Sequence, residues 1–259
     1  MIIYNITQSF LWTYFRLVYR LRVTGLDHVP ATGGAIIAAN HASFLDPPTM
    51  GIAVCHRALR YMARDDLFRI PVVGPGMRMM GALPIRRGGA NGHALRNFVS
   101  RIRDHGEILL VFPEGTRSSD GAVKGARRGI GAVCLAAQGA AGGGAADGVR
   151  VPVIPALITG TWGVWPRSRR LPRLRGRIEV RFGPPVQWSN AELKATGDAN
   201  GALATQIMKR IAELKTPQDT PVGYLEGLRR IFRKPSTGGK PVVARYTEAH
   251  GDDARVSFR

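Results

Sequence analysis

The chain has 259 residues, 44% of them hydrophobic, which is enough to fill one core and makes a single domain the simplest organisation. A formal net charge of +19, from 37 Lys and Arg against 18 Asp and Glu, implies an anionic partner, with nucleic acid and anionic lipid both qualifying. Two cysteines, Cys55 and Cys134, exclude a disulfide framework or a cysteine ligand cluster and suit a reducing compartment.

In residues 1–22, Ile3, Ile6, Phe10, Tyr14, Leu17 and Leu21 recur at steps of three and four, the spacing of one helical face, and Leu11, Phe15 and Val18 widen it. Arg16 and Arg20 follow the apolar stretch and no small-residue cleavage site appears, so this is not a signal peptide. Polar residues break the run well short of the roughly 18 apolar positions of a spanning helix. The expectation is an amphipathic helix lying in the plane of a membrane, with docking on the protein core as the alternative.

Residues 34–39, 108–112 and 151–158 are short apolar runs bounded by Gly, Pro or polar residues, and they read as buried strands. Leu95, Phe98, Val99 and Ile102 form a helical stripe ending at Gly106, and residues 130–137 make a second helix. Residues 178–182 alternate as a half-exposed strand does, and residues 203–214 read as a surface helix ended before Pro217. Strands alternating with helices predict an α/β domain over residues 23–234, with a mixed, largely buried sheet flanked by helices. Residues 235–259, rich in Gly, Pro, Thr and charge, are expected to form a mobile basic tail.

The arginine runs lie beside apolar aromatics. Ile231 and Phe232 are flanked by Arg229, Arg230, Arg233 and Lys234, while Trp162 and Trp165 precede Arg167, Arg169, Arg170, Arg173, Arg175 and Arg177. Aromatics next to basic residues fit a membrane interface, and no nucleic-acid motif accompanies them. A solvated basic surface is the alternative for any single run.

Asn40-His41-Ala42-Ser43-Phe44-Leu45-Asp46 emerges from the first predicted strand. A carboxylate that holds one imidazole proton leaves the other ring nitrogen able to take a proton from a hydroxyl. Positions i and i+5 do not share a helical face, so His41 and Asp46 meet only if the chain turns. Pro47 is expected to supply that turn by pushing Asp46 out of the α region. Ser43 lacks a Gly-x-Ser-x-Gly setting, so it reads as a loop-stabilising hydroxyl. Further along, Phe112-Pro113-Glu114-Gly115-Thr116-Arg117-Ser118 follows a strand. Gly115 permits a sharp turn with exposed amides, Thr116 and Ser118 bring hydroxyls, and Arg117 brings a planar donor, a composition suited to an anion. No group of residues has metal-ligand spacing, so no metal is expected.

These blocks resemble those of the glycerolipid acyltransferases, the family containing 1-acyl-sn-glycerol-3-phosphate acyltransferase. Asn40 to Pro47 resembles its His-x4-Asp block, and Gly81-Ala82-Leu83-Pro84-Ile85-Arg86-Arg87 its second block. Phe112 to Ser118 matches the third block throughout, and Val151-Pro152-Val153-Ile154-Pro155 resembles the fourth. The resemblance implies acyl transfer from an acyl-CoA or acyl-carrier-protein thioester to the free hydroxyl of lysophosphatidic acid, with no cofactor. His41 would be the general base and Asp46 its orienting acid. Arg87 would grip the acceptor's phosphate, with Arg86, Glu114, Gly115, Thr116 and Arg117 also on the substrate. Many members carry aspartate where this chain has Arg86, which leaves the division of labour between the two arginines open. The expected setting is the cytoplasmic face of a membrane, peripheral or monotopic, with an anionic lipid surface as partner and no nucleic acid. The alternatives are another lyso-lipid acceptor, such as a lyso-ornithine lipid, and a non-catalytic protein binding anionic lipid or nucleic acid.

Overall fold

The structure is a computed structural model that describes residues 2–54, 57–71, 73–85, 92–138 and 151–215. In chain order the first elements are α1 (Ile2–Val18), β1 (Arg22–Thr24), β2 (Ala35–Ala39), α2 (Asp46–Ala53), β3 (Leu59–Arg64), α3 (Val73–Met79) and β4 (Ala82–Ile85). There follow α4 (Gly92–Arg103), β5 (Ile108–Val111), α5 (Gly129–Ala137), β6 (Val153–Thr159), α6 (Thr161–Val164), β7 (Glu179–Phe182), α7 (Asn190–Ala195) and α8 (Ala199–Glu213). The strands form one sheet in the order β1-β7-β6-β2-β5-β3-β4. Every pairing is parallel except β6 with β7, so the sheet is mixed, as the sequence predicts.

Period-two alternation along the central strand divides the core. From β2, Ala35, Ile37 and Ala39 join α1 and α2 on one face of the sheet. Ile36 and Ala38 face the other way, into the side chains of α4, α5 and α8. Because β2 is covered on both faces, it can be apolar at all five positions.

One sequence expectation resolves toward its stated alternative, and two need correction. The described part of α1 docks on the core through Trp12 and Phe15, with Tyr19 and Leu21 buried just beyond its end. Of the predicted stripe, Tyr14 and Leu21 pack on the core together with Leu11, Phe15 and Val18, while Phe10 and Leu17 point outward, at 67% and 72% exposure. Residues 178–182 are not half-exposed. Arg181 is buried, ion-paired with Glu179 at 2.8 Å, and it donates to the carbonyls of Leu214 and Lys215 beyond α8, supplying acceptors at a helix end with a cation. Last, α8 is a core helix: Leu203, Ala204, Ile207, Met208 and Ile211 are buried against the sheet. The 235–259 tail and the 229–234 basic run lie outside the described residues.

Removing residues 1–22 would strip Trp12, Phe15, Tyr19 and Leu21 from the core, so that deletion tests stability before it tests lipid binding. Trp12→Ala or Phe15→Ala should each cost about 3–5 kcal/mol of stability. Urea denaturation measures this, and a loss below about 1 kcal/mol, as at exposed sites, would mean that the helix is not docked.

Candidate active site

The site begins where β2 ends. The Asn40 side chain donates to the Ile158 carbonyl at 2.9 Å and accepts from the Ile158 amide at 2.7 Å, tying the ends of β2 and β6 together. This fixes the backbone just before His41. The His41 main chain is then held on both sides: its N–H donates to Glu114 Oε1 at 3.1 Å, and its carbonyl accepts from the Ser118 N–H at 2.8 Å. Its ring stacks on Phe112, with centroids 4.1 Å apart and planes 18° from parallel. Since β2 and β5 are adjacent and parallel, both chains leave the sheet at the same carboxyl edge, where open α/β sheets bind ligands.

Asp46 is fully buried, and its Oδ2 accepts three hydrogen bonds. They come from His41 Nδ1 at 2.8 Å, the Ala42 N–H at 2.6 Å and the Ser43 N–H at 2.7 Å. The two amides orient the carboxylate and the carboxylate orients the ring. With its proton on Nδ1 toward Asp46, the imidazole has an acceptor lone pair at Nε2. Nε2 has no hydrogen-bond partner among the described residues, and the side chain is 17% exposed. Asp46 Oδ1 is buried and has no partner among those residues either.

The turn that joins the pair does not come from Pro47. Asp46 is the first residue of α2, and Leu45 before it is already right-handed, at φ −79° and ψ −12°. Prolines 47 and 48 sit in the first helical turn, where a missing N–H costs nothing. The bend lies earlier, in residues 40–45. Ser43 stabilises it: its hydroxyl donates to the Trp165 carbonyl at 2.7 Å and accepts from the Leu45 N–H at 3.1 Å.

In the third block the turn closes on itself, and Arg117 keeps a buried donor with no partner among the described residues. Gly115 takes φ +64°, a left-handed conformation natural to glycine, and its N–H closes the turn onto the Phe112 carbonyl. The Ser118 hydroxyl donates to Asp120, so neither group is presented to a ligand. Glu114 is buried, which raises its pKa, against the pull of the backbone N–H groups of His41 and Lys124. Its Oε1 holds the His41 backbone, while its buried Oε2 has no partner among the described residues. Thr116 is exposed on the turn. Arg117 lies with its guanidinium carbon 3.5 Å over the Phe44 ring, and its buried Nη1 has no partner among the described residues. Burial lowers the Arg117 pKa, and so do the charges of Arg167 and Arg64, while Asp46 acts in the opposite direction. Arg86 and Arg87 fall outside the described residues, just past the end of β4.

Sequence reasoning missed Arg64, at the end of β3, and the contributions of Trp165 and Arg167. Ring contact between Phe44 and Trp165, at 5.3 Å, places the latter beside the loop of residues 40–45. No local signal marks these residues, because they are more than a hundred positions from His41 or embedded in a strand. Among the described residues no three His, Cys, Asp or Glu side chains gather to hold a metal.

Fold and site define an α/β enzyme built around a His–Asp pair at the carboxyl edge of its sheet. Residues 20–159 match the Acyltransferase family, and the chain belongs to that family and is an acyltransferase. It is similar to 1-acyl-sn-glycerol-3-phosphate acyltransferase of Bacillus subtilis, at 25% identity over 199 residues, spanning 77% of this chain and 90% of that one. It also resembles the chloroplastic 1-acyl-sn-glycerol-3-phosphate acyltransferase LPAT1 of Arabidopsis thaliana, at 28% identity over 198 residues; that match covers 75% of this chain and 49% of the plant protein. The fold is shared with the crystal structure of the Thermotoga maritima 1-acyl-sn-glycerophosphate acyltransferase PlsC, with a TM-score of 0.56 at 22% identity, covering 83% of this chain and 82% of that one.

Proposed function

We propose that the protein moves a fatty acyl group from an acyl-CoA or acyl-carrier-protein thioester to the free hydroxyl of lysophosphatidic acid, giving phosphatidic acid. The observation that carries this reading is the His41–Asp46 pair, held from the backbone on both sides and presenting Nε2. Relatives bearing the corresponding activity support the acceptor class. In the reaction, Nε2 takes the hydroxyl proton as the oxygen attacks the thioester carbonyl. Asp46 stabilises the imidazolium that forms. Collapse of the tetrahedral intermediate breaks the C–S bond, and the imidazolium returns its proton to the departing thiolate. Each part is supplied by the chain and its two substrates, so the reading needs no cofactor. No described helix is long and apolar enough to cross a membrane, and the outward face of α1 with Phe10 and Leu17 fits a peripheral position on a cytoplasmic membrane surface.

Arg117 joins Arg87, which lies outside the described residues, in carrying the acceptor's phosphate in this account. A guanidinium in the field of two other arginines, with a buried unpaired N–H among the described residues, gains most from an incoming anion. Arg117→Ala should reduce kcat/KM for the acceptor roughly 10- to 150-fold, the worth of a charged hydrogen bond of about 1.5–3 kcal/mol, with the donor KM unchanged. Steady-state rates on lysophosphatidic acid, a lyso-ornithine lipid and monoacylglycerol test both claims. Lysophosphatidic acid should be preferred, and its advantage over monoacylglycerol should shrink in Arg117→Ala. Preference for the ornithine lipid, or an unchanged ratio in the variant, would overturn the phosphate assignment.

A further inference from the structure

From Thr161 to Ile178 the chain has no acidic residue and six arginines, at positions 167, 169, 170, 173, 175 and 177, all of them exposed. Among the described residues none of the six forms an ion pair. Between them stand Leu171 and Leu174, at 75% and 76% exposure the most exposed large apolar side chains described, with Trp162 at 38% nearby. This display is built into the loop's shape. The Arg173 N–H donates to the Val164 carbonyl at 2.9 Å, Trp165 Nε1 to the Arg169 carbonyl at 3.1 Å, and the Ile178 N–H to the Tyr19 carbonyl at 2.9 Å. A face serving solubility alone gains nothing from leucines held out in water. A nucleic-acid groove likewise has no use for bare aliphatic side chains between its cations. A bilayer surface suits both kinds of residue: leucines reach below the headgroups while guanidinium groups stay among lipid phosphates.

The loop is also rooted at the catalytic site. The Trp165 carbonyl holds the Ser43 hydroxyl, its ring packs on Phe44, and Phe44 is 42% exposed beneath Arg117. We propose that residues 162–177 form the surface that docks the enzyme on an anionic bilayer, and that the acceptor passes from this docked face to His41 without leaving the lipid. The route of the acceptor rests on the proposed acyl transfer; the docking does not.

Two variants of the full chain separate the forces, Arg170→Gln/Arg173→Gln/Arg175→Gln and Leu171→Ser/Leu174→Ser. Arg167 is left intact because of its proximity to Arg117. Vesicle flotation with phosphatidylcholine alone, and with added phosphatidylglycerol, measures partitioning. Each arginine contributes on the order of fivefold, so the triple variant should lose on the order of a hundredfold on anionic vesicles and show a weaker dependence on salt. The leucine variant should lose binding at low and high salt alike. Both should melt like wild type, since the altered side chains are exposed. Both should turn over a short-chain, water-soluble acceptor at the wild-type rate, yet fail on acceptor presented in vesicles. Unchanged vesicle binding in both variants would overturn the proposal, as would variants that lose duplex DNA binding while keeping vesicle binding. Wild-type vesicle binding that depends on these residues, in a protein that acylates no acceptor, would remove the proposed activity and leave the docking surface standing.

Discussion

His41→Ala is expected to lower kcat about 10²- to 10⁴-fold, the contribution of a positioned general base, while leaving the fold intact. The stability side follows from how the residue is held. Its main-chain bonds, to Glu114 Oε1 and from the Ser118 N–H, do not involve the ring and survive the substitution. Asp46 loses one donor and keeps the Ala42 and Ser43 amides. The ring's stack on Phe112 is lost, but the side chain is partly exposed already, so little buried surface goes with it. Initial rates with acyl thioester and lysophosphatidic acid, together with thermal melts, measure both sides. A variant within tenfold of wild type would remove His41 from the chemistry. Collapse of the fold would instead make the histidine a structural residue.

Asp46 should behave differently from His41, because it serves the loop as well as the ring. Asp46→Ala leaves two amides in a buried loop without an acceptor, each costing roughly 1–3 kcal/mol, in addition to losing the imidazole's partner. Asp46→Asn keeps an oxygen for the Ala42 and Ser43 amides but removes the charge that stabilises an imidazolium, and it puts an NH₂ group where the buried Oδ1 has no partner among the described residues. The alanine variant should therefore lose both activity and stability. The asparagine variant should lose a comparable share of activity, about 10²–10⁴-fold, with a clearly smaller loss of stability. Denaturation midpoints and rates for the pair separate the roles. An asparagine variant with full activity would mean that the charge is not used, and an alanine variant as stable as wild type would contradict the loop-holding role.

The central strands were legible because β2, β5 and β6 are unbroken apolar runs, the pattern of a sheet covered on both faces. β3 was not, since Arg60 and Arg64 interrupt it; Arg60 pairs with Glu107, and Arg64 with Asp66, so these charges are accommodated by partners the sequence does not reveal. β7 reads as a strand from its alternation, yet Glu179 and Arg181, which read as its solvated face, pair with each other. At the site, the histidine and its acid were readable from residue type and spacing. What held them was not, because the holding groups are backbone amides and carbonyls, and every residue has those. Glu114 illustrates the limit: its place in the block was plain, but only the fold shows that it grips the His41 backbone. Arg64 and Arg167 come close to Arg117 only through the stacking of β3 and the loop after α6 at one edge.

Rapid-quench mixing of the purified protein with acyl thioester, first alone and then with lysophosphatidic acid, addresses the proposed chemistry most directly. With donor alone, no burst of free thiol and no acylated protein should appear by mass spectrometry. With acceptor present, each thiol released should be matched by one molecule of phosphatidic acid, and both should vanish together in His41→Ala. A stoichiometric thiol burst with acyl group attached to the protein, or thiol release without phosphatidic acid, would contradict direct transfer driven by the His41–Asp46 pair.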